Sequence, residues 1–130
     1  ALLLADIDHF KAINDRHGHP VGDRVLCALV TMLREHVRRG DLIARWGGEE
    51  FAVVLPSATL RAAFAKAKAV VATLARREWS VDGAAQLRFT MSVGATAWRD
   101  GDDAAAVLLR VDRALYQAKD GGRNRASKLA

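Results

Sequence analysis

One cysteine, Cys27, in 130 residues leaves no possibility of an internal disulfide. Cys27 sits in the apolar run VLCALV, which predicts a buried thiol rather than a nucleophile. No apolar stretch approaches the roughly 20 residues that a bilayer-spanning helix needs, and no basic segment leads into an apolar one near residue 1. A soluble chain in a reducing cytoplasm is expected, with any membrane anchor carried upstream. A basic run interleaved with aromatics, the mark of a strand-binding surface, is also missing, so no nucleic-acid partner is expected. Repeats, low-complexity tracts and linkers are absent too, which leaves a single domain.

What the sequence has is apolar content of 51%, enough for one packed core, and a net charge of +5 from 20 Lys and Arg against 15 acids. That balance favours an anionic ligand without choosing one.

ALLLADI opens with a continuous apolar run ending in acid, the pattern of a buried strand that delivers carboxylates at its end. A strand at residue 1 implies further chain upstream. Residues 8–17 allow only a short helix, broken by Gly18 and Pro20. Val21, Val25, Leu29, Leu33 and Val37 then recur at helical spacing, predicting a helix from about Val21 to Arg38 that Gly40 stops. LIARW and FAVVLP read as two strands of a hairpin around Gly47 and Gly48, a pair that permits a backbone path closed to other residues. Thr59 can cap a helix to about Arg77, with Leu60, Phe64, Ala67, Val71 and Leu74 inward. After a turn around Asp82 and Gly83, residues 87–97 alternate as a strand, with Leu87, Phe89, Met91, Val93 and Ala95 on one face. A last helix runs from about Asp102 to Lys119 and ends in DGGRNR. The order β-α-β-β-α-β-α predicts an α+β, ferredoxin-like fold: a mixed, mainly antiparallel sheet with helices packed on one face.

Asp6 and Asp8 end the first strand, while Glu49 and Glu50 lie in the hairpin. If the two strands are neighbours, both acid pairs meet at one edge. Strand alternation gives Asp6 and Asp8 one side-chain direction and makes Glu49 and Glu50 diverge, so the four cannot be equivalent ligands. Gathered carboxylates repel one another and suit a hard divalent cation, whose remaining sites phosphate oxygens can fill. The same acids also fit solvated turn positions, or pairing with Lys11 and Arg45, and the residues alone leave both readings open. Lys119 and Arg123 add cations for terminal phosphates. Asn14 and Asp23 offer groups that could read a guanine edge.

RWGGEEF at 45–51 resembles the GGDEF signature in its GGEEF form. DIDHFKAINDRHGHPVGD at 6–23 resembles the DxDxFKxxND...GHxxGD segment of the same family, and YQAKDGGRN at 116–124 its YxAKxxGRN ending. These registered motifs cover most of the chain, which is thereby identified as similar to the catalytic domain of bacterial diguanylate cyclases. The resemblance implies a palm like that of class III nucleotide cyclases, with GTP as substrate, cyclic di-GMP as product and Mg²⁺ or Mn²⁺ as cofactor. By position, it implies that Asp6, the Ile7 carbonyl, Glu49 and Glu50 bind metal, and that Glu49 is also the base for the ribose 3′-hydroxyl. Lys11 matches the transition-state stabiliser, Asn14, His19 and Asp23 the base and sugar contacts, and Lys119 and Arg123 the phosphate binders. Each domain holds one GTP, so catalysis implies a homodimer of half-sites. An upstream helix and DxLTGLxNR-type motif, and a sensor domain beyond them, are usual in the family and lie outside these residues.

Arg38 and Asp41 resemble the family's RxxD product-inhibition site. Where the family often adds an arginine from the next helix, this chain offers Lys66 and Lys68, so tight feedback is not expected. A non-catalytic cyclic di-GMP receptor using Arg38 and Asp41 is the alternative reading, and a nucleic-acid enzyme on a similar palm a third. His17, His19 and His36 do not form a zinc pattern and read as solvated or locally bonded. Trp46, Trp79 and Trp98 read as core or rim packing.

Overall fold

The computed structural model describes residues 1–80 and 86–130. The described elements are β1 (Leu2–Ile7), α1 (Phe10–His17), α2 (His19–His36), β2 (Leu42–Arg45), β3 (Glu50–Val54), α3 (Leu60–Arg76), β4 (Trp79–Ser80), β5 (Gln86–Leu87), β6 (Met91–Thr96), α4 (Ala104–Asp120) and β7 (Ala126–Lys128). Five strands form one sheet in the order β2-β3-β1-β6-β7, and β4 pairs with β5 apart from it. Every pairing in the main sheet is antiparallel except β6 with β7. The mixed, mainly antiparallel plan is therefore as expected, with short β4 and the added β7 beyond it. The turn expected around Asp82 and Gly83 lies outside the described residues.

β1 explains the layering. Its alternate residues point to opposite faces, and both sets are apolar, so both faces need cover. Leu3, Ala5 and Ile7 join Val25, Leu29 and Met32 of α2 and Ala67, Val70 and Leu74 of α3 in the larger core. Leu4 packs with Ala52 and with Val111 and Leu115 of α4 in a smaller one. Helices thus cover both faces of the sheet rather than one. Each fully buried Leu or Ile stabilises the fold by roughly 1.5–3 kcal/mol relative to exposure, which makes β1 the strand that the domain can least afford to lose.

The alternation at 87–97 does not make one strand. Leu87 pairs with Trp79 in the separate ladder, while residues 88–90 turn aside, Arg88 to Glu78 and Thr90 to Asp8. β6 then begins at Met91 and is buried on both faces. Its polar members are satisfied inside: Ser92 donates to Asp8, and Thr96 donates to the Leu129 carbonyl. Gly94 lets α4 approach, because a Cβ there would lie 2.4 Å from both the Leu115 nitrogen and the Val111 oxygen.

Thr59 caps α3 as expected, accepting from the Ala62 N–H at 3.2 Å. α4 starts later than expected, capped by Asp103, which accepts from the Ala106 N–H at 2.7 Å. Asp102 is taken up by Arg110, whose guanidinium also donates to the Thr96 hydroxyl and the Ala97 carbonyl. Cys27 is exposed, contrary to its apolar surroundings in the sequence. Val25 and Leu29 point inward, and Cys27, two residues from each, sits about 200° around the helix; it lines an open cleft of about 640 Å³ between α2 and β2. His36 is locally bonded, with its ring nitrogens on the Met32 carbonyl and the Thr73 hydroxyl. Trp79 packs against Phe89, whereas Trp46 and Trp98 are largely exposed at the rim of an apolar groove on the α4 side of the sheet.

Gly94→Ala is expected to lower the unfolding free energy by about 3 kcal/mol, the upper end of overpacking costs, in urea denaturation with an unchanged m-value. Asp102 gives a pH signature. Its hydrogen bonds from Arg110 hold the carboxyl at about 2, below the ordinary 3.8. A depressed folded pKa stabilises above the unfolded value and is lost as pH falls through the folded one. Asp102→Asn is therefore expected to lower Tm at pH 7, with the difference from wild type shrinking between about pH 4 and 2 in thermal melts.

Candidate active site

The antiparallel register sets Asp6 of β1 directly opposite Glu50 of β3. One residue further on, the Ile7 N–H donates to the Glu49 carbonyl at 3.3 Å. The two acid segments therefore meet at one end of the sheet, as their spacing suggested. Asp6 is only 10% exposed in its side chain, and the Lys119 ammonium, from the last turn of α4, lies 2.9 Å from its carboxylate. Glu49 and Glu50 are half-buried.

Arg45 shapes the hairpin rather than pairing with the acids. Its guanidinium donates to the carbonyls of Gly47 and Gly48, at 2.7 Å in the shortest case, while the Trp46 and Gly47 N–H groups donate to the Glu50 carbonyl. Neither glycine uses the left-handed backbone that the pair permits. A Cβ at Gly47 would fall 2.7 Å from the Glu50 carboxylate, so a side chain there would displace the flexible end of Glu50 from its place. Nothing lies within 4 Å of the corresponding point at Gly48, so the hairpin tip stays bare and open to a ligand.

Burial pushes the Glu50 carboxyl above its ordinary range, and the charge of Asp6 pushes it further, with Asp112 and Glu49 adding to the effect and Lys119 opposing it. Asp112, exposed on α4, belongs to this field; helical periodicity could not tell which turn of α4 reaches the acid edge. Among the described residues no three carboxylate, His or Cys side chains stand in a ready-made metal cage. The donor set nonetheless fits a hard divalent cation: oxygen ligands only, in an excess of negative charge that raises the pKa of one of its members. Lys119 supplies part of the missing positive charge at Asp6.

The flanking residues are spread around this edge. Lys11 does not reach the acids: it is 87% exposed in its side chain and pairs with Asp15 at 2.6 Å, one helical turn on. Asn14 packs against Gly22, where a Cβ would come 1.8 Å from Asn14 Oδ1, so α1 brings Asn14 beside the neighbour of Asp23. That oxygen is buried with no hydrogen-bond partner in the protein. A buried acceptor left unpaired is costly and suits a ligand donor. His19 and Asp23 are exposed in the first turns of α2. Arg123 and Asn124 follow α4 in left-handed conformation, φ 61° and 47°.

Asp8 is the residue that sequence reasoning placed least well. Alternation paired it with Asp6 as a candidate ligand, but it is 4% exposed and already accepts from Thr90, Ser92 and the Asn124 N–H. Its signal in the sequence was the pair of hydroxyl residues at 90 and 92, legible only once β6 is known to lie beside β1.

At the opposite end of β3, Asp41 is 1% exposed in its side chain. It accepts from the Arg38 N–H at 3.0 Å and the Arg38 guanidinium at 3.3 Å, and Lys66 stands 3.6 Å away. Burial alone pushes its carboxyl up, but the bonds from Arg38 and the Lys66 charge outweigh that and hold it below the usual range. Arg38 also donates to the Pro56 carbonyl at 2.7 Å. Of the two lysines considered, Lys66 joins this group and lines its cleft of about 280 Å³, whereas Lys68 lies over the Phe64 ring.

An acid edge between two antiparallel strands, with a glycine hairpin at its tip, thus sits in a palm-like α+β fold. Residues 1–125 match the model of the family described as diguanylate cyclase, GGDEF domain, and the chain belongs to that family. It is 45% identical over 125 residues to the diguanylate cyclase DgcM of Escherichia coli K12, covering 96% of this chain and 30% of that protein. To the response regulator PleD of Caulobacter vibrioides it is 42% identical over 124 residues, 94% of this chain and 27% of the relative. The chain thus spans less than a third of these curated relatives. Among solved structures, the active GGEEF domain of a diguanylate cyclase from Vibrio cholerae superposes with TM-score 0.92 at 34% identity, covering 99% of this chain and 81% of that one. The GGDEF domain of DgcB from Caulobacter crescentus, in complex with c-di-GMP, gives TM-score 0.92 at 31% identity, over 98% and 75% of the two chains. No described helix is long and apolar enough to cross a membrane.

Because the folded pKa of Glu50 is raised, its ionised form is penalised in the fold. That cost is absent below the ordinary 4.5 and develops as pH rises through it toward the folded value. With metal removed by EDTA, Glu50→Gln is expected to melt higher than wild type at pH 7 and at the same temperature near pH 4, in scanning calorimetry.

Proposed function

We propose that this domain is half of a diguanylate cyclase, holding one GTP and joining it to the GTP of a second copy. The observation that carries the reading is the register of Asp6 against Glu50, with Lys119 at the same edge. Metal dependence is general to the diguanylate cyclases of this family, and the ion is proposed to be Mg²⁺ or Mn²⁺. Asp6, the Ile7 carbonyl, Glu49 and Glu50 would hold it. When bound, a divalent cation there neutralises triphosphate charge and lowers the pKa of a nearby hydroxyl.

The protein's own groups do the rest. Asn14, His19 and Asp23 hold the nucleoside, with Asp23 accepting from the guanine N1 and N2 hydrogens, which adenine does not offer. Lys119 exchanges Asp6 for the terminal phosphates, and Arg123 binds beside it. Glu49 receives the proton of the 3′-hydroxyl as that oxygen attacks the α-phosphorus of the facing GTP in line. The bond to pyrophosphate breaks, and a second such transfer closes the ring, so two GTP give cyclic di-GMP and two pyrophosphates. Lys11, which now pairs with Asp15, swings to stabilise charge in the transition state. A homodimer is required because each half supplies one substrate. Arg38, Asp41 and Lys66 form the product-inhibition site, and a sensor domain upstream supplies the regulating signal.

The test is incubation with GTP and Mg²⁺ and mass identification of the product, with ATP in parallel. Cyclic di-GMP from GTP alone is expected, with specific activity rising with protein concentration. Glu49→Ala and Asp6→Ala are each expected to cost at least about 100-fold in rate, as removal of charge-stabilising groups does. Binding of cyclic di-GMP without any GTP turnover would instead favour a receptor.

A further inference from the structure

We propose that Asp8 is a positioning residue that fixes the phosphate-binding turn after α4 onto the end of β1. The proposal rests on the GTP-binding reading of the site and assigns a task to a buried carboxylate that reading leaves unused. The Asp8 carboxylate accepts from the Thr90 hydroxyl at 2.7 Å, the Ser92 hydroxyl at 2.7 Å and the Asn124 backbone N–H at 2.9 Å. Its own N–H donates to the Thr90 carbonyl at 2.9 Å. It is 4% exposed, so these bonds form with little competition from water.

Three parts of the candidate site converge on this one residue. Asp6 and Ile7 precede it on β1. His9, next in the chain, is left-handed at φ 55° and caps α1, which carries Lys11 and Asn14. Arg123 and Asn124, both left-handed, hold the turn that places Arg123. L-residues avoid that backbone region, and such a turn persists only where its surroundings over-determine it. Among the bonds that do so, the Arg123 N–H to the Ala118 carbonyl at 3.1 Å ties the turn to its own helix, the Arg125 carbonyl, accepting from the Val93 N–H at 3.0 Å, ties its far end to β6, and the Asn124 N–H to Asp8 ties it to the strand that bears the acids.

The chemistry suits a carboxylate or its amide. All three partners donate, and an ionised Asp is a pure acceptor on both oxygens. Asparagine is nearly isosteric: its oxygen can serve Thr90 and Asn124 while its amide donates to Ser92, whose hydroxyl can rotate. Alanine leaves the Asn124 N–H without its protein acceptor. Asp8→Ala thus breaks the tie and Asp8→Asn keeps it.

Two measurements on the 130-residue chain test this. Without nucleotide, amide hydrogen exchange at residues 122–125 is expected to be at least tenfold faster in Asp8→Ala than in wild type, with α2 and α3 unchanged and Asp8→Asn close to wild type. By calorimetry with Mg²⁺, Asp8→Ala is expected to weaken a non-hydrolysable GTP analogue about tenfold while leaving GMP unchanged, and Asp8→Asn to restore the analogue. Unchanged exchange in the turn overturns the proposal. So does equal weakening of GTP analogue and GMP, which would mark a merely structural role. If wild type binds no GTP analogue, the cyclase reading fails, and the exchange data still decide whether Asp8 holds the turn. Should Asp8→Ala not fold, Thr90→Val, which removes one donor to the same oxygen, is expected to speed exchange in the turn about threefold; no change there overturns the proposal equally.

Discussion

β1 is paired on both edges and covered on both faces, yet it ends in carboxylates. Its flanking strands, β3 and β6, align their own termini against that end, so whatever they carry there is delivered to Asp6 and Asp8. β3 brings two more acids, and β6 brings hydroxyls. α4 crosses the second face, close over Gly94, and its final turn sets a lysine against Asp6. The site is thus a by-product of how a doubly buried strand must be packed. The apolar core fixes the backbone ends to within a residue, and the charges sit on those ends.

The charge at that edge is unbalanced by design of the fold rather than by exposure. Glu50 feels burial first and Asp6 second, and one lysine does not offset them. An edge in this state gains from any cation it can recruit, which is the electrostatic basis of the proposed metal-dependent chemistry. At the other end of β3 the balance is reversed. Asp41 is enclosed by Arg38 and Lys66 and lies well satisfied, so a ligand entering that cleft must trade contacts rather than simply add them.

Much of this was legible from the residues. Helical spacing located α2 and α3, Thr59 announced its cap, and acid at the end of an apolar run marked the site. What failed did so for identifiable reasons. Helices on one face was the wrong layering because a run such as LLLADI records burial but not from how many sides. The 87–97 alternation concealed a break, since Thr90 and Ser92 fit an exposed strand face in sequence yet are spoken for by Asp8. Cys27 looked buried because its neighbours are, and a neighbour along a helix points elsewhere. Asp112 and the role of Asp8 depend on residues distant in sequence, which no local pattern encodes.

The bond between Asp8 and Asn124 closes a loop of 116 residues, nearly the whole chain. Contacts of that separation form only after the intervening entropy has been spent, so local helices and the β2–β3 hairpin come first. During synthesis the acids of β1 and β3 emerge from the ribosome well ahead of Lys119 and Arg123. The acid side of the candidate site is therefore complete before its cationic side, which arrives last and docks only when the turn after α4 is bonded to the end of β1.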